Sequence, residues 1–405
     1  MRVVQKYGGS SLKNMEYIDA VAKRVHQTAE AGHAVVVVVS AMGDTTDELV
    51  DRAQQVDGLK TARNLDFLLA TGEMQSAALM AMALTRHGTR AFALMGGQAG
   101  IRTDSQFGQA RITGVDAEAL ERLLAQGVTP VVTGFQGISP DGAVTTLGRG
   151  GSDLTAIALA SAIQADSCEI YSDVPGVFTA DPRIVPNAKA LASLSYDEML
   201  ELASQGAQVL QTQAVLYARQ SGVTVNARST FEEGPGTRIE TEQAEFNTLV
   251  TAVALDTHLT KIGLVGVPDR PGVAALACEK LAQAGINIDL VFQALSHDDA
   301  RADIALTVAD RDRDRAVRIC QQTLGELGGS ALVVDADIAK VSAVGAGVRN
   351  HVGVAATLFR ALADAHINIQ MIGTSEIKIS CIVARSDAER ALNQVHHAFR
   401  LDGKD

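Results

Sequence analysis

Short β-branched runs alternate with longer amphipathic stretches over the first part of the chain. Ala34–Ser40 reads AVVVVVS, a continuous apolar run of the kind that forms a strand covered on both faces. Leu65–Leu84 and Asp153–Ala165 place apolar residues at helical spacing instead. Strands that alternate with helices predict an α/β fold with an open, mostly parallel sheet flanked by helices. The other predicted elements are strands at Val3–Gln5, Ala91–Leu94, Thr129–Thr133 and Cys168–Tyr171, and helices at Tyr17–Ala31, Asp116–Ala125 and most of Tyr196–Gln220.

The pattern changes after the turn-forming sequence EEGPG at Glu232–Gly236 and the polar stretch Glu240–Glu245, which predict a domain boundary. Beyond it the chain repeats itself, in Lys261–Val291 and again in Lys340–Ile372. Each copy has a strand, a glycine-containing turn, a helix that opens at Gly-Val-Ala, and an Ile-Asn-Ile strand. A further strand, at Ala302–Val308 and Ile377–Val383, and a helix follow each copy, which predicts two ferredoxin-like βαββαβ modules. Duplication for stability alone is the alternative.

Composition narrows the class of protein. A chain of 405 residues that is 47% hydrophobic is expected to form two or three domains. The net charge of -12 argues against a general nucleic-acid or anionic-membrane surface. The four cysteines show no metal or disulfide spacing, which favours a reducing compartment. The N-terminus lacks a signal-peptide core, and no unbroken apolar run approaches the roughly 20 residues of a membrane span, so we expect a cytosolic protein.

Two glycine-rich stretches carry candidate chemistry. Lys6–Ser11 (KYGGSS) ends the first predicted strand, where two glycines allow N–H groups to face an anion beside the lysine charge. Thr146–Asp153 (TLGRGGSD) runs directly into a helix that Ser152 or Asp153 can cap, and Arg149 can grip a carboxylate through two hydrogen bonds. A solvated lysine beside a turn, and a simply capped helix, are the structural alternatives.

A third stretch, Tyr171–Arg183 (YSDVPGVFTADPR), follows a predicted strand, where open α/β sheets bind ligands. Phe178 can face a base and Arg183 can reach phosphates, although Pro-Gly and Asp-Pro alone indicate only turns. The chain has no G-x-x-x-x-G-K-[ST] loop, no G-x-G-x-x-G, no H-R-D or D-F-G, and no H-E-x-x-H. These absences exclude the common phosphate-loop, dinucleotide, protein-kinase and zinc-protease signatures.

Together, six separated segments resemble the aspartate kinases of the amino-acid kinase family, and the tail repeats look like paired ACT domains. The segments are VQKYGGSSL, VVVVSAMGDTTDEL, TGE, TLGRGGSD, YSDVPGVFTADPRIVP and LSYDEMLELASQGA. The resemblance implies transfer of the ATP γ-phosphoryl group, with Mg²⁺, to the β-carboxylate of L-aspartate, the first step of lysine, threonine and methionine synthesis. It also implies three segments of the chain, namely a catalytic domain at 1–240, a first ACT domain at 260–338 and a second at 247–259 plus 339–405.

The resemblance assigns roles to individual residues. The catalytic residues it implies are Lys6, Arg149 and Asp153, with Asp153 orienting Lys6 or the metal. Aspartate would be bound by Ser40, Thr46, Glu73, Arg149, Gly150 and Ser152, where Arg149 takes the α-carboxylate and Glu73 the ammonium group. ATP would be bound by Lys6, Tyr7, Gly8, Gly9, Ser172, Asp173, Phe178, Thr179, Asp181, Pro182 and Arg183. No protein side chain is assigned to the metal.

The tail is expected to bind lysine, threonine or both as feedback inhibitors, and to pair edge to edge in a homodimer. The effector residues implied in the first module are Asp269, Arg270, Pro271, Gly272, Val273, Ala274, Asn287, Ile288, Asp289 and Gln293. Those in the second are His351, Val352, Gly353, Val354, Ala355, Asn368, Ile369, Ser375 and Glu376. We also expect a strand at Asn247–Leu255 to pair into the second repeat.

One position departs from the family pattern. Many relatives carry a lysine where this chain has Gln208, which predicts a nucleotide site with less positive charge. Two other hypotheses remain open at this point, namely a kinase for another carboxylate, such as glutamate or acetylglutamate, and an amino-acid sensor that has lost catalysis.

Overall fold

The computed structural model describes residues 1–57, 61–148, 150–205, 209–241, 249–295, 301–348 and 351–403. The chain divides into two compact units. The first comprises Met1–Phe178 and Ala190–Glu245, and the second comprises Thr179–Lys189 and Phe246–Asp405.

The first unit is an α/β domain. Its strands are β1 (Arg2–Tyr7), β2 (Ala34–Val39), β3 (Ala91–Leu94), β4 (Ile101–Thr103), β5 (Ile112–Val115), β6 (Thr129–Thr133), β7 (Gln136–Ile138), β8 (Val144–Thr146), β9 (Ser167–Ser172), β10 (Ser193–Ser195), β11 (Val225–Ser229) and β12 (Thr237–Glu240). Its helices are α1 (Met15–Glu30), α2 (Thr45–Asp57), α3 (Ala62–Arg86), α4 (Glu118–Ala125), α5 (Gly151–Ala162), α6 (Tyr196–Ser204) and α7 (Thr212–Ser221).

Eight of these strands form one sheet in the order β10-β12-β11-β9-β1-β2-β6-β3. Every pair in it is parallel except β11–β12, so the predicted fold class is confirmed. The apolar run of β2 is buried from Val35 to Val39, as a strand covered on both faces requires. A second, four-stranded sheet in the order β5-β4-β7-β8 was not predicted, nor was α2.

Helix α3 is, within the described part of the chain, long and apolar enough for a membrane span by length and composition alone. Half of its most apolar window is buried, and buried core helices pass the same test. Asp66 and Glu73 lie on its buried side. Seven residues correspond to about two helical turns, so both carboxylates lie on one face of the helix.

The second unit holds both repeats. Its strands are β13 (Ala252–Asp256), β14 (Leu259–Pro268), β15 (Ile288–Leu295), β16 (Arg301–Ala309), β17 (Ala331–Asp335), β18 (Ile338–Val344), β19 (Met371–Thr374) and β20 (Lys378–Ala384). Its helices are α8 (Val273–Gln283), α9 (Arg313–Leu327), α10 (Val354–Asp364) and α11 (Ala388–Ala398). Two four-stranded sheets, ordered β15-β16-β14-β17 and β13-β18-β20-β19, carry the first and second repeat.

Strand β13 precedes the first repeat in the chain but pairs antiparallel with β18 of the second, from Ala252 opposite Val344 to Asp256 opposite Lys340. The expected strand at Asn247–Leu255 therefore pairs with the second repeat over residues 252–255, while residues 247 and 248 lie outside the described residues. The domain bounds given above stay predictions.

One segment of the predicted catalytic domain belongs elsewhere. Thr179–Lys189 falls within the 1–240 range, but it packs with the second unit. Ala180 and Val185 are buried in the same apolar cluster as Val253 and Leu392. The backbone N–H of Val253 also donates to the carbonyl oxygen of Thr179 at 2.8 Å.

Candidate functional site

The glycine turn after β1 lies against the loop that follows β2. Gly43 N donates to Gly9 O at 3.0 Å. A Cβ at Gly9 would stand 3.0 Å from the carbonyl oxygens of both Ala41 and Gly43, so only glycine allows this approach without displacing backbone. The carboxyl ends of two parallel neighbours, β1 and β2, therefore meet in the position where open α/β sheets bind ligands.

Lys6, the fifth residue of β1, is paired with a carboxylate from the first turn of α5. Its Nζ lies 2.6 Å from Oδ1 of Asp153, and about a tenth of each side chain is exposed. Two opposite charges held this far from water need one another, because either one alone would be costly to bury. The pair places a positive charge of fixed position at the carboxyl edge of the sheet.

Helix α5 begins differently from the sequence expectation. Its N-cap is Gly150, in the left-handed region at φ 76°, and no side chain caps it, so the expectation that Ser152 or Asp153 caps the helix was wrong. Asp153 is instead paired with Lys6. Ser152 packs closely against Gly134, since a Cβ added at Gly134 would stand 2.6 Å from Ser152 Oγ. Arg149 lies outside the described residues, as does Gln208.

Glu73 is a buried carboxylate with one satisfied oxygen. Its Oε1 accepts a hydrogen bond from Ala41 N at 3.1 Å, whereas its buried Oε2 has no hydrogen-bond partner among the described residues. Burial raises the pKa of this carboxyl from 4.5 to about 7, against the lowering effect of backbone hydrogen bonds. Gly72 permits the contact, since a Cβ there would stand 2.9 Å from that of Ala41. An oxygen of this kind can accept a hydrogen bond from a ligand ammonium group.

Several other candidates from the first unit have local partners. Gly8 N donates to Tyr171 O at 3.2 Å, so this amide is already engaged. The Tyr7 ring is fully buried and stacked on Tyr171 at 4.8 Å, and its backbone pairs with β2 and β9. Ser40 N donates to Tyr7 O at 3.1 Å.

The remaining candidates of the first unit differ in exposure. Thr46, in the first turn of α2, and Phe178 are partly buried. Ser172 Oγ forms local hydrogen bonds with the backbone of Val174. Asp173 is exposed.

Four of the residues predicted at the nucleotide belong to the second unit, in Thr179–Lys189. Thr179 is buried, and its Oγ1 lies 2.9 Å from Nε2 of His396 and accepts from Lys189 N at 2.9 Å. Arg183 pairs with Asp181, at 2.6 Å between Nη2 and Oδ2, and Pro182 is exposed.

The predicted effector segments have equivalent backbone geometry in the two repeats. Helices α8 and α10 both begin after a glycine in the left-handed region, Gly272 at φ 96° and Gly353 at φ 108°, with no side-chain cap. The residues just before each glycine are exposed, as are Asn287, Gln293, Asn368, Ser375 and Glu376.

Asp289 differs from these exposed positions because it already has an ionic partner. Its Oδ2 lies 2.6 Å from Nζ of Lys340, a lysine that is 1% exposed. The two repeats are therefore joined by an ion pair from β15 to β18.

Among the residues that the structure describes, no group of three or more His, Cys, Asp or Glu side chains is arranged to hold a metal ion. Mg²⁺ at a phosphoryl-transfer site usually keeps water and substrate phosphates as ligands and needs only one or two carboxylates. The donor set is therefore compatible with a metal that enters with a nucleotide.

Sequence reasoning missed Asp66. It is fully buried on α3, and its carboxylate accepts hydrogen bonds from Thr146 and Gly108. The available signal was a charged residue within the apolar face of a predicted helix.

Known families match both parts of the chain. Residues 1–226 match the amino acid kinase family, and residues 262–324 and 341–399 match the ACT domain. The aspartokinase of Mycolicibacterium smegmatis is 47% identical over 408 residues, which cover 100% of this chain and 97% of the relative.

Two solved structures of E. coli aspartokinase III are also similar, each at 27% identity over 98% of this chain and 99% of theirs. The complex with aspartate and ADP, called the R-state, has a TM-score of 0.79. The complex with lysine and aspartate, called the T-state, has a TM-score of 0.76. The similarity thus extends over the whole of the chain.

Proposed function

The chain belongs to the aspartate kinases of the amino acid kinase family, and from this we propose which residues carry its reaction and how effectors regulate it. The reaction passes the γ-phosphoryl group of ATP to the β-carboxylate of L-aspartate. That carboxylate is already ionised near neutral pH, so the nucleophile needs no general base. The protein must instead bring two anions together and stabilise charge on the phosphoryl group in transfer.

The Lys6–Asp153 ion pair is the observation that carries the proposal. The Lys6 ammonium group neutralises charge on the transferring phosphoryl group, and Asp153 holds it in place at 2.6 Å. Because Gly8 N is engaged by Tyr171, Gly9 N is the amide of the pair that serves the phosphates. Ser172, which ends the neighbouring strand β9, and Asp173 and Phe178, which follow it, flank the nucleotide.

Mg²⁺ would be held chiefly by the phosphate oxygens of ATP and would supply charge neutralisation when bound. Asp153 is a buried carboxylate that could contribute to holding the metal, but its ion pair with Lys6 favours a role in orienting the lysine.

Aspartate is held through its α-substituents. The unpartnered Oε2 of Glu73 accepts from the ammonium group, and Arg149 takes the α-carboxylate in a bidentate pair. Ser40, Thr46, Gly150 and Ser152 complete the polar surroundings.

A coupled ADP-release assay with aspartate, glutamate and acetylglutamate tests the substrate. We expect turnover with aspartate, and absence of turnover with all three would overturn the proposal. Arg149→Ala should raise the KM for aspartate strongly and leave the KM for ATP nearly unchanged. Arg122→Ala, at an exposed arginine on α4, is the matched control. An equal rise in both KM values would refute the role given to Arg149.

Lysine, threonine or both regulate the enzyme through the two ACT modules. The E. coli relative with bound lysine supports an amino-acid effector. Asn287 and Asn368 are exposed at equivalent places in the two repeats, so Asn287→Ala and Asn368→Ala form a matched pair. Each substitution should make the enzyme less sensitive to one effector only. Titration of each variant with lysine, threonine and their mixture measures this loss of inhibition. Unchanged inhibition of both variants would contradict this role.

The protein works as a cytosolic homodimer that pairs through its ACT sheets. Exposed apolar residues on both edge strands of the first repeat, Phe292 on β15 and Val333 on β17, support such pairing. Light scattering of Phe292→Lys should show a weakened dimer, whereas Val56→Lys, at an exposed valine of α2, should not. A monomeric wild-type protein would overturn the proposal.

A further inference from the structure

A fully buried lysine joins the two repeats of the second unit. Lys340, on β18 of the second repeat, is 1% exposed, and its Nζ lies 2.6 Å from Oδ2 of Asp289 on β15 of the first. Thr307 Oγ1 also donates to that oxygen, at 3.3 Å. A buried ammonium group without a charged partner is very unfavourable. Lys340 therefore needs a carboxylate in every state of the protein.

The equivalent lysine of the first repeat makes a different set of contacts. Lys261 and Lys340 are the first residues of the two repeats. Asp289 and Gln370 are also equivalent, since each directly follows an Ile-Asn-Ile sequence. Lys261 Nζ donates to Gln370 Oε1, so the two lysines cross between the repeats in opposite directions. Gln370 is uncharged, however, and Lys261 takes its charged partner from its own repeat, with Asp335 Oδ2 at 3.3 Å.

Lys340 has a second carboxylate within reach. Asp256 is directly opposite Lys340 in the antiparallel pair of β13 and β18. Asp335 is likewise directly opposite Lys261, in the pair of β14 and β17. Oδ1 of each aspartate accepts from the backbone N–H two residues further on, at 2.9 Å for Asp256 and 3.0 Å for Asp335. Side chains directly opposite one another lie on the same face of a sheet. The Lys261–Asp335 pair therefore shows the geometry that Lys340 would adopt on Asp256.

The Asp289 carboxylate is partly open to a ligand. Its side chain is 24% exposed, and it belongs to the proposed effector segment with Asn287 and Gln293, which are exposed. An effector ammonium group on Asp289 would bring a second positive charge against Lys340, and like charges at one site disfavour each other. Transfer of Lys340 to Asp256 removes this repulsion and leaves the lysine paired. A side chain with two such states is a two-state element that binding can bias.

We propose that Lys340 is a switch between Asp289 and Asp256, which the ammonium group of an effector moves when it binds to the first repeat. This inference rests on the proposed role of Asp289 in effector binding. Lys340 on Asp289 is the effector-free state. Only a ligand that brings its own cation can replace the lysine, so the ligand class is amino acids with a free ammonium group.

The second position of Lys340 acts on the strand that holds the inserted segment Thr179–Lys189. Asp256 ends β13, and Val253 lies three residues earlier in the same strand. Val253 N donates to Thr179 O at 2.8 Å. The inserted segment interrupts the sequence of the first unit. An effector on the first repeat thus acts, through Lys340, on a strand of the second repeat that is bonded to this segment.

Calorimetric titration of the full chain with L-lysine and with L-threonine tests the switch. The effector of the first repeat is the one whose binding Asn287→Ala weakens. Lys340→Met removes the competing ammonium group, so this effector should bind on the order of tenfold more tightly. It should nevertheless inhibit the variant less, because the moving charge is gone. A merely structural lysine would not give tighter binding with weaker inhibition, since its loss would weaken both. Weaker binding, or unchanged inhibition, would overturn the proposal.

Asp256→Asn removes the second carboxylate and keeps an oxygen for the N–H of His258. It should weaken binding of the same effector by about tenfold, and should have no effect when Lys340→Met is also present. Asp335→Asn, at the equivalent aspartate of the first repeat, is the matched control and should bind like wild type. Normal binding by Asp256→Asn would mean that Lys340 and the effector share Asp289, and the switch would be wrong. Should Lys340→Met fold poorly, the two aspartate variants decide the question.

Failure of the proposed function gives a different result. If Asp289→Asn leaves binding of both amino acids unchanged, the effector site of the first repeat is wrong, and the switch is overturned with it. If Asp289→Asn weakens binding while the Lys340 and Asp256 variants bind and respond like wild type, the effector site stands and only the switch is overturned.

Discussion

The ammonium nitrogen of Lys6 lies 2.6 Å from Oδ1 of Asp153. The two residues are 147 positions apart in sequence, and they meet because β1 ends beside the first turn of α5. Both side chains are almost buried, so the pair has a fixed geometry that an exposed pair lacks. A lysine in such a position offers one defined charge to an incoming phosphate group.

Asp153→Asn should lower kcat on the order of tenfold to a hundredfold, because the amide no longer fixes the Lys6 ammonium group. It should also destabilise the fold by about 3 kcal/mol, since a buried charge loses its partner. Steady-state kinetics and urea unfolding measure the two effects. Asp197→Asn breaks the half-exposed pair with Arg219 and should change stability by less than about 1 kcal/mol. Normal kcat in Asp153→Asn would contradict the role of the pair.

Glu73 should make aspartate use depend on pH near neutrality. Its pKa of about 7 means that the free enzyme loses the Glu73 charge as the pH falls from 8 to 6. The kcat/KM for aspartate should therefore fall over this range. Glu73→Gln should not show this fall, and its KM for aspartate should be high at every pH. Glu48→Gln, at an exposed glutamate of α2, should keep the wild-type profile.

The buried Glu73 carboxyl should also lower the free energy of unfolding at high pH. Its native pKa lies above the value of 4.5 expected when unfolded, so the native state binds more protons between about pH 4.5 and 7. Stability therefore falls as the pH rises through this window, by about 3 kcal/mol in total from a pKa change of this size. Glu73→Gln should be more stable than wild type at pH 8 and nearly equal to it at pH 4.5. Equal pH dependence of both proteins in urea unfolding would refute this expectation.

Gly72→Ala should impair aspartate binding although alanine favours helices. The new Cβ would stand 2.9 Å from that of Ala41, so α3 must shift away from the loop whose N–H holds Glu73. We expect a higher KM for aspartate and no gain in stability. Gly325→Ala in α9 is the control, since nothing lies within 4 Å of its Cβ and it should stabilise by up to about 1 kcal/mol. A stabilised Gly72→Ala with normal KM would show that the contact is dispensable.

Much of the fold was predictable because its strands and helices are long. The apolar run of β2 and the helical spacing of apolar residues in α3 are long enough to show a clear pattern. In the tail, the two copies of the repeat predict the same elements and so support one another. The strands β4, β5, β7 and β8 were missed because three or four residues are too few to show alternation, and they lack the continuous apolar run AFAL by which the equally short β3 was predicted.

The candidate site was predictable where a motif requires a particular residue, and not where distant backbone groups meet. Lys6 and Asp153 belong to glycine-rich segments that are visible in the sequence. The backbone partners of Asp66 are N–H groups far along the chain. Every residue except proline carries such a group, so no pattern of side chains in the sequence indicates which ones meet Asp66. Likewise, the turn formers of Thr179–Lys189 do not reveal which core the segment joins.

The buried hydrogen bond between Thr179 and His396 leads to the last prediction. Thr179–Lys189 interrupts the first unit between Phe178 and Ala190, and its Thr179 Oγ1 lies 2.9 Å from Nε2 of His396 on α11. Burial lowers the pKa of His396 below its usual 6.5, with the charge of Asp402 opposing and that of His397 adding to this shift.

Because the native state favours neutral His396, the unfolded chain takes up its proton first as the pH falls below 6.5. The second unit should therefore lose stability as the pH falls below 6.5, and His396→Gln should flatten this dependence while keeping a group that can bond to Thr179. Melting temperatures of the full chain across pH 5.5–7.5 measure the effect. His258→Gln, at an exposed histidine between β13 and β14, is the control and should follow the wild type. If His396→Gln and wild type lose stability in parallel on acidification, another group must be responsible, and the Thr179 contact does not sense pH.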